Sequence, residues 1–166
     1  MRFAYADPPY FGCGKLYDHL HDQARVWDDQ QTHIDLVAQL CNEFPDGWVL
    51  SCNPRDLRWL LPACPDTVRV CSWVKTYHQI RWNVSVQYAW EPVIVNGGRQ
   101  LKHRKPMVRD WTTGKVTQQT GTPGAKPSYF NRWVLDLLGY QDDDELVDLF
   151  PGSGGMTAAV NQGTLL

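Results

Sequence analysis

The chain has 166 residues, of which 43% are hydrophobic and 20% charged, and its formal net charge is −2. This length predicts one globular domain, residues 1–166, and the small net charge excludes a nucleic-acid partner held by bulk electrostatics alone. A nucleic acid would need a local basic patch. No apolar run approaches the ~20 residues of a membrane span, and the first residues predict a strand rather than a signal peptide. We therefore expect a cytoplasmic protein without a membrane partner.

Five cysteines are spread along the chain without a CxxC pair: Cys13, Cys41, Cys52, Cys64 and Cys71. Their odd number and their spacing argue against a disulfide framework and against a structural zinc site. The two histidines that follow the first cysteine do not complete a ligand set. The sequence therefore predicts reduced, mostly buried thiols and no metal.

The amino-terminal part predicts a strand, a loop and a helix. Phe3 to Ala6 form a short apolar run that Asp7-Pro8-Pro9-Tyr10 ends, because two prolines cannot continue a central strand. Residues 11–31 show no clear periodicity and predict a loop. Beyond them, apolar residues recur at helical spacing from Thr32, a candidate N-cap, to Phe44.

The middle of the chain predicts strands that alternate with helices. Trp48 to Cys52, Val68 to Val74 and Tyr88 to Val95 predict strands, and residues 53–61 predict a short helix. Strands separated by helices indicate a largely parallel α/β sheet. Residues 97–126 are rich in glycine, threonine and basic side chains, and they predict a basic loop or a small insertion.

The carboxyl-terminal part predicts a helix, a strand and a second helix. Ser128 is a candidate N-cap for a helix that Gly139 ends. Leu146 to Phe150 form a buried strand, which runs into the turn Pro151-Gly152-Ser153-Gly154-Gly155 and then into a helix from about Met156. Glycines in such a turn let the backbone approach a ligand closely. The turn matches neither a P-loop nor a GxGxxG motif, so a structural turn and a cofactor loop both stay open.

The tetrapeptide Asp7-Pro8-Pro9-Tyr10 carries a specific chemical pattern at the end of a strand, where open α/β sheets bind ligands. An exocyclic base amine is a poor nucleophile, because its lone pair is delocalised into the ring. The Asp7 carboxylate and the Pro8 carbonyl can accept hydrogen bonds from that amine and localise the pair. Pro9 presents no competing N–H, and Tyr10 offers a face on which an extruded base can stack. A turn with a capping aspartate is the simpler alternative.

The tetrapeptide and the glycine turn together resemble the signatures of DNA amino-methyltransferases, the N6-adenine and N4-cytosine family with a D-P-P-Y motif. Their order, tetrapeptide first and glycine turn last, is similar to the permuted beta group. Lys126-Pro127 before a helix and the Tyr88 to Val95 segment with its Glu91 also resemble that group. The resemblance implies a short or minimal member with a Rossmann-like methyltransferase fold, a circularly permuted motif order and a sheet that could be truncated.

The resemblance also implies roles for single residues. The base pocket and catalytic residues would be Asp7, Pro8, Pro9 and Tyr10. S-adenosylmethionine (SAM) would be bound by Asp7, Lys126, Pro127, Asp148, Phe150, Gly152, Ser153 and Gly154. A solvated lysine at a helix start is an equally simple explanation of the lysine in that set.

Residues 99–115 form a basic segment at the position of the family's target-recognition region. Six cations there would contact phosphates of a nucleic acid: Arg99, Lys102, Arg104, Lys105, Arg109 and Lys115. A plain solvated loop would have a similar composition. The sequence alone therefore leaves both interpretations of this segment open.

One element of the family pattern is missing. The resemblance implies an acidic residue roughly 20 residues past the glycine turn that binds the ribose hydroxyls, and the sequence ends at Leu166 before reaching it. Another acid could substitute, a partner chain could complete the pocket in a homodimer, or the chain could be a minimal enzyme.

The resemblance implies SAM-dependent methyl transfer to the amine of adenine in DNA, in a bacterial, phage or mobile-element protein. An initial Asp in the tetrapeptide favours adenine over cytosine, and RNA stays open because the chemistry is the same. The alternative from another class is a noncatalytic nucleic-acid-binding subunit that keeps the fold.

Overall fold

A computed structural model of the chain describes residues 1–19, 21–77, 80–100, 107–115 and 124–162. The strands are β1 Arg2–Ala6, β2 Gly47–Ser51, β3 Arg69–Lys75, β4 Trp90–Gly97, β5 Trp111–Gly114 and β6 Glu145–Asp148. The α-helices are α1 Gln30–Glu43, α2 Leu57–Leu60, α3 Ser128–Leu138 and α4 Gly155–Asn161. Short 3₁₀ helices span Gly14–Tyr17, Ala24–Asp28 and Leu61–Ala63.

The strands form one sheet in the order β5-β3-β4-β2-β1-β6. β1 pairs in parallel with β2 and β6, and β3 pairs in parallel with β5. β4 runs antiparallel to both of its neighbours, β2 and β3. The carboxyl ends of five strands and the amino end of β4 therefore lie along one edge, which we call the carboxyl edge. The predicted largely parallel sheet is confirmed, with β4 as the exception.

Both faces of the sheet are covered, so the middle residues of β1, β2 and β4 are buried. On one face, Phe3 and Tyr5 pack with Phe130 and Val134 of α3. On the other face, the intervening residues of β1 pack with the apolar side of α1 around Leu40. Alternate side chains of β1 thus pack into the hydrophobic cores on the two faces of the sheet. The carboxyl end of β1 is therefore fixed from both sides.

Several predictions of local structure need correction. Helix α1 begins at Gln30, and its N-cap is Asp29 rather than Thr32. The Asp29 side chain accepts a hydrogen bond from the backbone N–H of Gln31, which satisfies one free donor of the first turn. The segment 11–31, predicted as a loop, contains two 3₁₀ helices. The segment 97–126 contains β5, which was predicted as loop because its polar residues show no strand pattern.

The carboxyl-terminal helix was predicted more closely. Gly139 ends α3 in the left-handed region at φ 62°, as the sequence indicates for a terminating glycine. The N-cap of α3 is Pro127 rather than Ser128. No helix in the described part of the chain is long and apolar enough to span a lipid bilayer.

Candidate active site at the carboxyl edge

The ends of β1 and β6 lie side by side at the carboxyl edge. Tyr5 pairs with Asp148, and the backbone N–H of Leu149 donates to the Tyr5 carbonyl at 3.0 Å. The chain continues from these two strands into the Asp7 tetrapeptide and into the glycine turn. Parallel pairing therefore brings together two motifs that are 140 residues apart in the sequence.

A cavity of about 680 Å³ joins the two motifs. Of the residues predicted to form the site, its lining includes Asp7, Pro9, Lys126, Asp148, Phe150, Gly152 and Ser153. The other four, Pro8, Tyr10, Pro127 and Gly154, lie directly beside lining residues in the chain. The structure thus brings the tetrapeptide, Lys126 and the glycine turn around one space.

Lys126 is the centre of a buried ionic cluster, although its side chain belongs to a segment that precedes α3. Its ammonium group donates to Asp7 Oδ1 at 2.9 Å and to the Tyr10 hydroxyl at 3.1 Å, and it lies 3.4 Å from Glu91 Oε2. The side chain is only 8% exposed. This geometry contradicts the interpretation of Lys126 as a solvated lysine. Its ammonium group therefore contacts the tetrapeptide rather than the glycine turn.

Glu91 is a site residue to which the sequence reasoning gave no role. The hydroxyl of Tyr10 donates to Glu91 Oε2 at 2.7 Å, and Lys75 donates to Glu91 Oε1. Glu91 lies at the start of β4, and this start reaches the carboxyl edge because β4 is antiparallel. Hydrophobic periodicity does not indicate strand direction. The only feature of the sequence that pointed to Glu91 was therefore the resemblance of its segment, Tyr88 to Val95, to the family strand.

Charge and burial set the protonation states in this cluster. Burial alone would raise the pKa of Glu91, but Lys126 and Lys75 outweigh it and lower this pKa to about 2. Burial raises the pKa of Asp7, and Lys126 partly opposes the rise. Burial, Glu91 and Asp7 raise the pKa of Tyr10 well above 10, so its hydroxyl stays a donor. Burial lowers the pKa of Lys126, but Asp7 and Glu91 outweigh it and raise this pKa.

The glycine turn forms the opposite end of the cavity. Gly152 has φ 45°, a left-handed conformation that a side chain would strain. A Cβ on Gly155 would lie 2.8 Å from Nδ2 of Asn131, a buried α3 residue that also lines the cavity. Glycine at 155 thus lets the turn and α4 approach α3 closely. Asn131 was not predicted, because a polar residue on a helix carries no ligand signature.

The segment 21–27 forms another wall of the cavity, where the sequence predicted only a loop. Trp27 packs edge-on against Phe150, with ring centroids 5.0 Å apart, and against His33 of α1 at 5.2 Å. His33 Nε2 is 2.8 Å from the Trp27 carbonyl oxygen. An aromatic chain therefore ties this segment both to α1 and to the strand that carries the glycine turn.

Comparisons with known proteins bear on the fold. No protein-family model matches the sequence, and no curated protein matches it. Among solved structures, the M1.HpyAVI–SAM complex is similar, with TM-score 0.53 and 18% identity over 97% of this chain and 78% of that chain. M1.HpyAVI is similar with TM-score 0.50 and 16% identity, over 96% and 75%. The chain has a Rossmann-like methyltransferase fold. The fold class predicted from the sequence is confirmed.

Within this methyltransferase fold, the three predicted nucleic-acid residues that the structure describes do not form one patch. Arg99 follows the end of β4, at the edge opposite Asp7, and pairs with Asp144 at 2.6 Å. Arg109 precedes β5 at that same opposite edge, with its guanidinium 5.4 Å from the Trp111 ring centroid. Both arginines lie away from the cavity, and their contact with nucleic-acid phosphates stays a prediction. Lys115 follows β5 at the carboxyl edge, and Lys102, Arg104 and Lys105 lie outside the described residues.

Proposed function

We propose that this chain transfers a methyl group from SAM to the exocyclic amine of adenine in DNA. The observation that carries the proposal is the cavity that joins Asp7 to the glycine turn, with Lys126 and Glu91 beneath the tetrapeptide. Its volume of about 680 Å³ lies within the range of small-molecule sites. The neighbour M1.HpyAVI was solved as a complex with SAM on the same fold, which supports this cofactor.

The residues around the cavity fit SAM at the end formed by β6. Phe150 and Trp27 supply aromatic surface, and Gly152 and Ser153 supply backbone that a ligand can approach closely. Together with Asp148 these residues would hold the cofactor, with Pro127 and Gly154 beside them. Bound there, SAM supplies an electrophilic methyl group on a sulfonium.

The residues at the other end fit an extruded base. The Asp7 carboxylate and the Pro8 carbonyl each accept a hydrogen bond from one N–H of the amine. These two hydrogen bonds direct the lone pair of the nitrogen into the cavity. The Tyr10 ring, fixed through its hydroxyl by Glu91, stacks on the base. SAM held at the β6 end would supply the methyl group to the amine nitrogen, and Asp7 Oδ would take the surplus proton of the methylated amine before its release to water.

Lys126 acts on this reaction through Asp7. Burial favours the neutral carboxyl, whereas activation of the amine needs an acceptor with negative charge. The ammonium group 2.9 Å from Asp7 favours the ionised carboxylate and fixes its orientation. In this proposal Lys126 is a positioning residue for the base side of the cavity rather than a ligand of SAM.

The test is transfer of a tritiated methyl group from SAM to unmethylated duplex DNA, followed by nucleoside analysis. We expect label on the adenine amine, with at least a 10²-fold lower rate in Asp7→Ala and Asp7→Asn, as for the loss of a polar group that stabilises a transition state. Asp66→Ala, an exposed carboxylate close to the start of β3, is the matched control and should keep the wild-type rate. Circular dichroism and SAM binding verify that each variant is folded.

Three other outcomes would contradict the proposal at different levels. Label on cytosine or on RNA only would contradict the choice of substrate. Transfer that survives the loss of Asp7 would contradict the mechanism. A folded wild-type protein that binds DNA without transferring label would favour the noncatalytic nucleic-acid-binding subunit.

A further inference from the structure

Two arginines stack on one tyrosine at the carboxyl edge, outside the cavity. The guanidinium carbon of Arg55 lies 5.2 Å from the Tyr88 ring centroid, and that of Arg81 lies 5.7 Å from it. Arg55 follows β2, whereas Arg81 and Tyr88 belong to residues 76–89, which connect β3 to β4. We call these three residues, together with Trp82, the arginine–aromatic surface. Both arginines are exposed, so their charges face solvent.

The connection that carries this surface is organised by its own hydrogen bonds. The backbone N–H of Arg81 donates to the side-chain oxygen of Gln87 at 2.8 Å, and the Gln87 amide donates back to the Arg81 carbonyl at 3.0 Å. The N–H of Val84 closes a turn on the same carbonyl at 3.2 Å. A single side chain therefore clamps residues 81–87 into a defined turn.

This turn presents large apolar side chains to solvent. Trp82 is 94% exposed, and the neighbouring Tyr77, Ile80 and Val86 are also exposed. Isolated apolar residues on a surface are common, but four exposed ones within ten residues of the chain and beside two cations indicate an interaction site. Aromatic faces combined with positive charge are the features with which proteins bind unpaired nucleic-acid strands.

The surface lies beside the tetrapeptide. The backbone N–H of Cys13 donates to the Tyr10 carbonyl at 2.8 Å. The ring of Phe11, next to Tyr10, lies 5.9 Å from the ring of Trp59 in α2, and Arg55 lies in the turn that leads into this helix. The strand order also places this surface next to the tetrapeptide, on the side away from the glycine turn. β6 and the glycine turn flank β1 on one side, while β2, β4 and β3 extend from its other side.

We infer that the arginine–aromatic surface binds the DNA strand that flanks the target base, with Arg55 and Arg81 on phosphates and Trp82 stacked on a neighbouring base. This inference rests on the proposed function, since it assigns the approach of the DNA to the same pocket. SAM occupies the β6 side of Asp7, and the strand approaches from the β2 side. The acidic side chain nearest to Arg55 in the chain, Asp56, is buried and does not face the strand.

The experiment measures equilibrium binding of fluorescent duplex DNA by anisotropy, between about 50 and 200 mM salt. Arg55→Ala and Arg81→Ala should each weaken binding and reduce the magnitude of the salt slope by about 1. Trp82→Ala should weaken binding by about 10-fold, and Trp82→Phe, which keeps a stacking ring, should retain most of the affinity. SAM affinity should be unchanged in all four variants. Arg69→Ala, an exposed arginine at the opposite edge, is the control and should bind as wild type.

The readout requires no turnover, so this inference and the proposed function can fail separately. If the wild-type protein transfers methyl groups and the arginine and tryptophan variants bind DNA normally, the DNA-binding role of the surface is contradicted and the proposed function is not. If these variants lose DNA binding and the wild-type protein transfers no methyl group, the DNA-binding role of the surface is supported and the proposed function is contradicted. A wild-type protein that binds no DNA at low salt would overturn the surface.

Discussion

The buried cluster beneath Tyr10 contains two carboxylates and two lysines, so its formal charges balance. Lys126 lies between Asp7 and Glu91, and Lys75 pairs with the far side of Glu91. Charges that are largely removed from water are stable only while their number stays matched. The cluster therefore acts as one unit that holds the tetrapeptide against β3, β4 and the segment before α3.

The first prediction concerns the charge of Glu91. Glu91→Gln keeps an acceptor for the Tyr10 hydroxyl but leaves two lysines facing one carboxylate. We expect it to lower the free energy of unfolding by about 2 to 3 kcal/mol, below the full range for buried pairs because Glu91 is 16% exposed. Denaturant unfolding at pH 7 measures this. Adding Lys75→Met should recover part of the loss, whereas strictly additive effects would show that Glu91 and Lys75 are not coupled.

At the scale of elements, helix α2 begins at a buried carboxylate whose charge is poorly compensated. Asp56 is 4% exposed, and burial raises its pKa to about 6 even though a backbone hydrogen bond from Asn53 opposes the rise. The folded pKa lies above the unfolded value of 3.8. Ionisation of Asp56 therefore costs stability, increasingly as pH rises from about 4 to 6 and fully above that range.

The second prediction follows from that cost. Asp56→Asn keeps the shape of the side chain and removes its charge, so we expect it to increase the free energy of unfolding at pH 7 by about 2 kcal/mol. The difference from wild type should vanish near pH 4, where the wild-type carboxyl is neutral. Thermal unfolding of both proteins across this range measures the effect. A difference that does not change with pH would contradict it.

At the scale of the whole molecule, the cavity is enclosed by parts of the chain that are far apart in sequence. The segment 21–27, the tetrapeptide, residues 124–126 and the glycine turn each supply one side. A ligand that contacts all four stabilises them together, because binding to the closed arrangement opposes the local opening of each part. Strands β3 and β5 lie at the other end of the sheet and are not in the lining.

The third prediction uses this arrangement. Saturating SAM should slow amide hydrogen exchange in residues 21–27 and 149–156, by up to about 100-fold at a concentration of 100 times Kd. Exchange in residues 69–77 and 111–115 should change little. Mass spectrometry of peptides with and without SAM measures the pattern. Protection centred on β3 and β5 would place the cofactor elsewhere.

The sequence predicted the ends of elements correctly where the backbone chemistry of proline or glycine alone determines them. Two prolines ended β1 at Asp7, and Gly139 ended α3, because backbone chemistry alone decides both positions. The glycine turn after β6 was found in the same way. The fold class followed from the order of these motifs and of the strands between them.

Other features depend on the direction of a strand in the sheet and on contacts between distant segments, and hydrophobic periodicity predicts neither. The antiparallel direction of β4 brings Glu91, near the start of this strand, to the site and takes Arg99, just beyond its end, away from the site. The 3₁₀ helices before α1 owe their positions to contacts such as Trp27 with Phe150 rather than to a local pattern. Clustering basic residues by sequence therefore grouped Arg99 and Arg109 with Lys115, which lies at the other edge of the sheet.

The connection between β3 and β4 leaves the sheet and re-enters it along the same rim. The described residues of this connection lie outside the paired ladder, so new sequence or added length there shifts no register, and each doubling of loop length costs only about 0.6 kcal/mol. The ionic cluster around Asp7, in contrast, is fixed by central strands. On the proposal that this connection binds DNA, we expect related chains to differ in the DNA they select through changes here, while Asp7 and its partners stay constant.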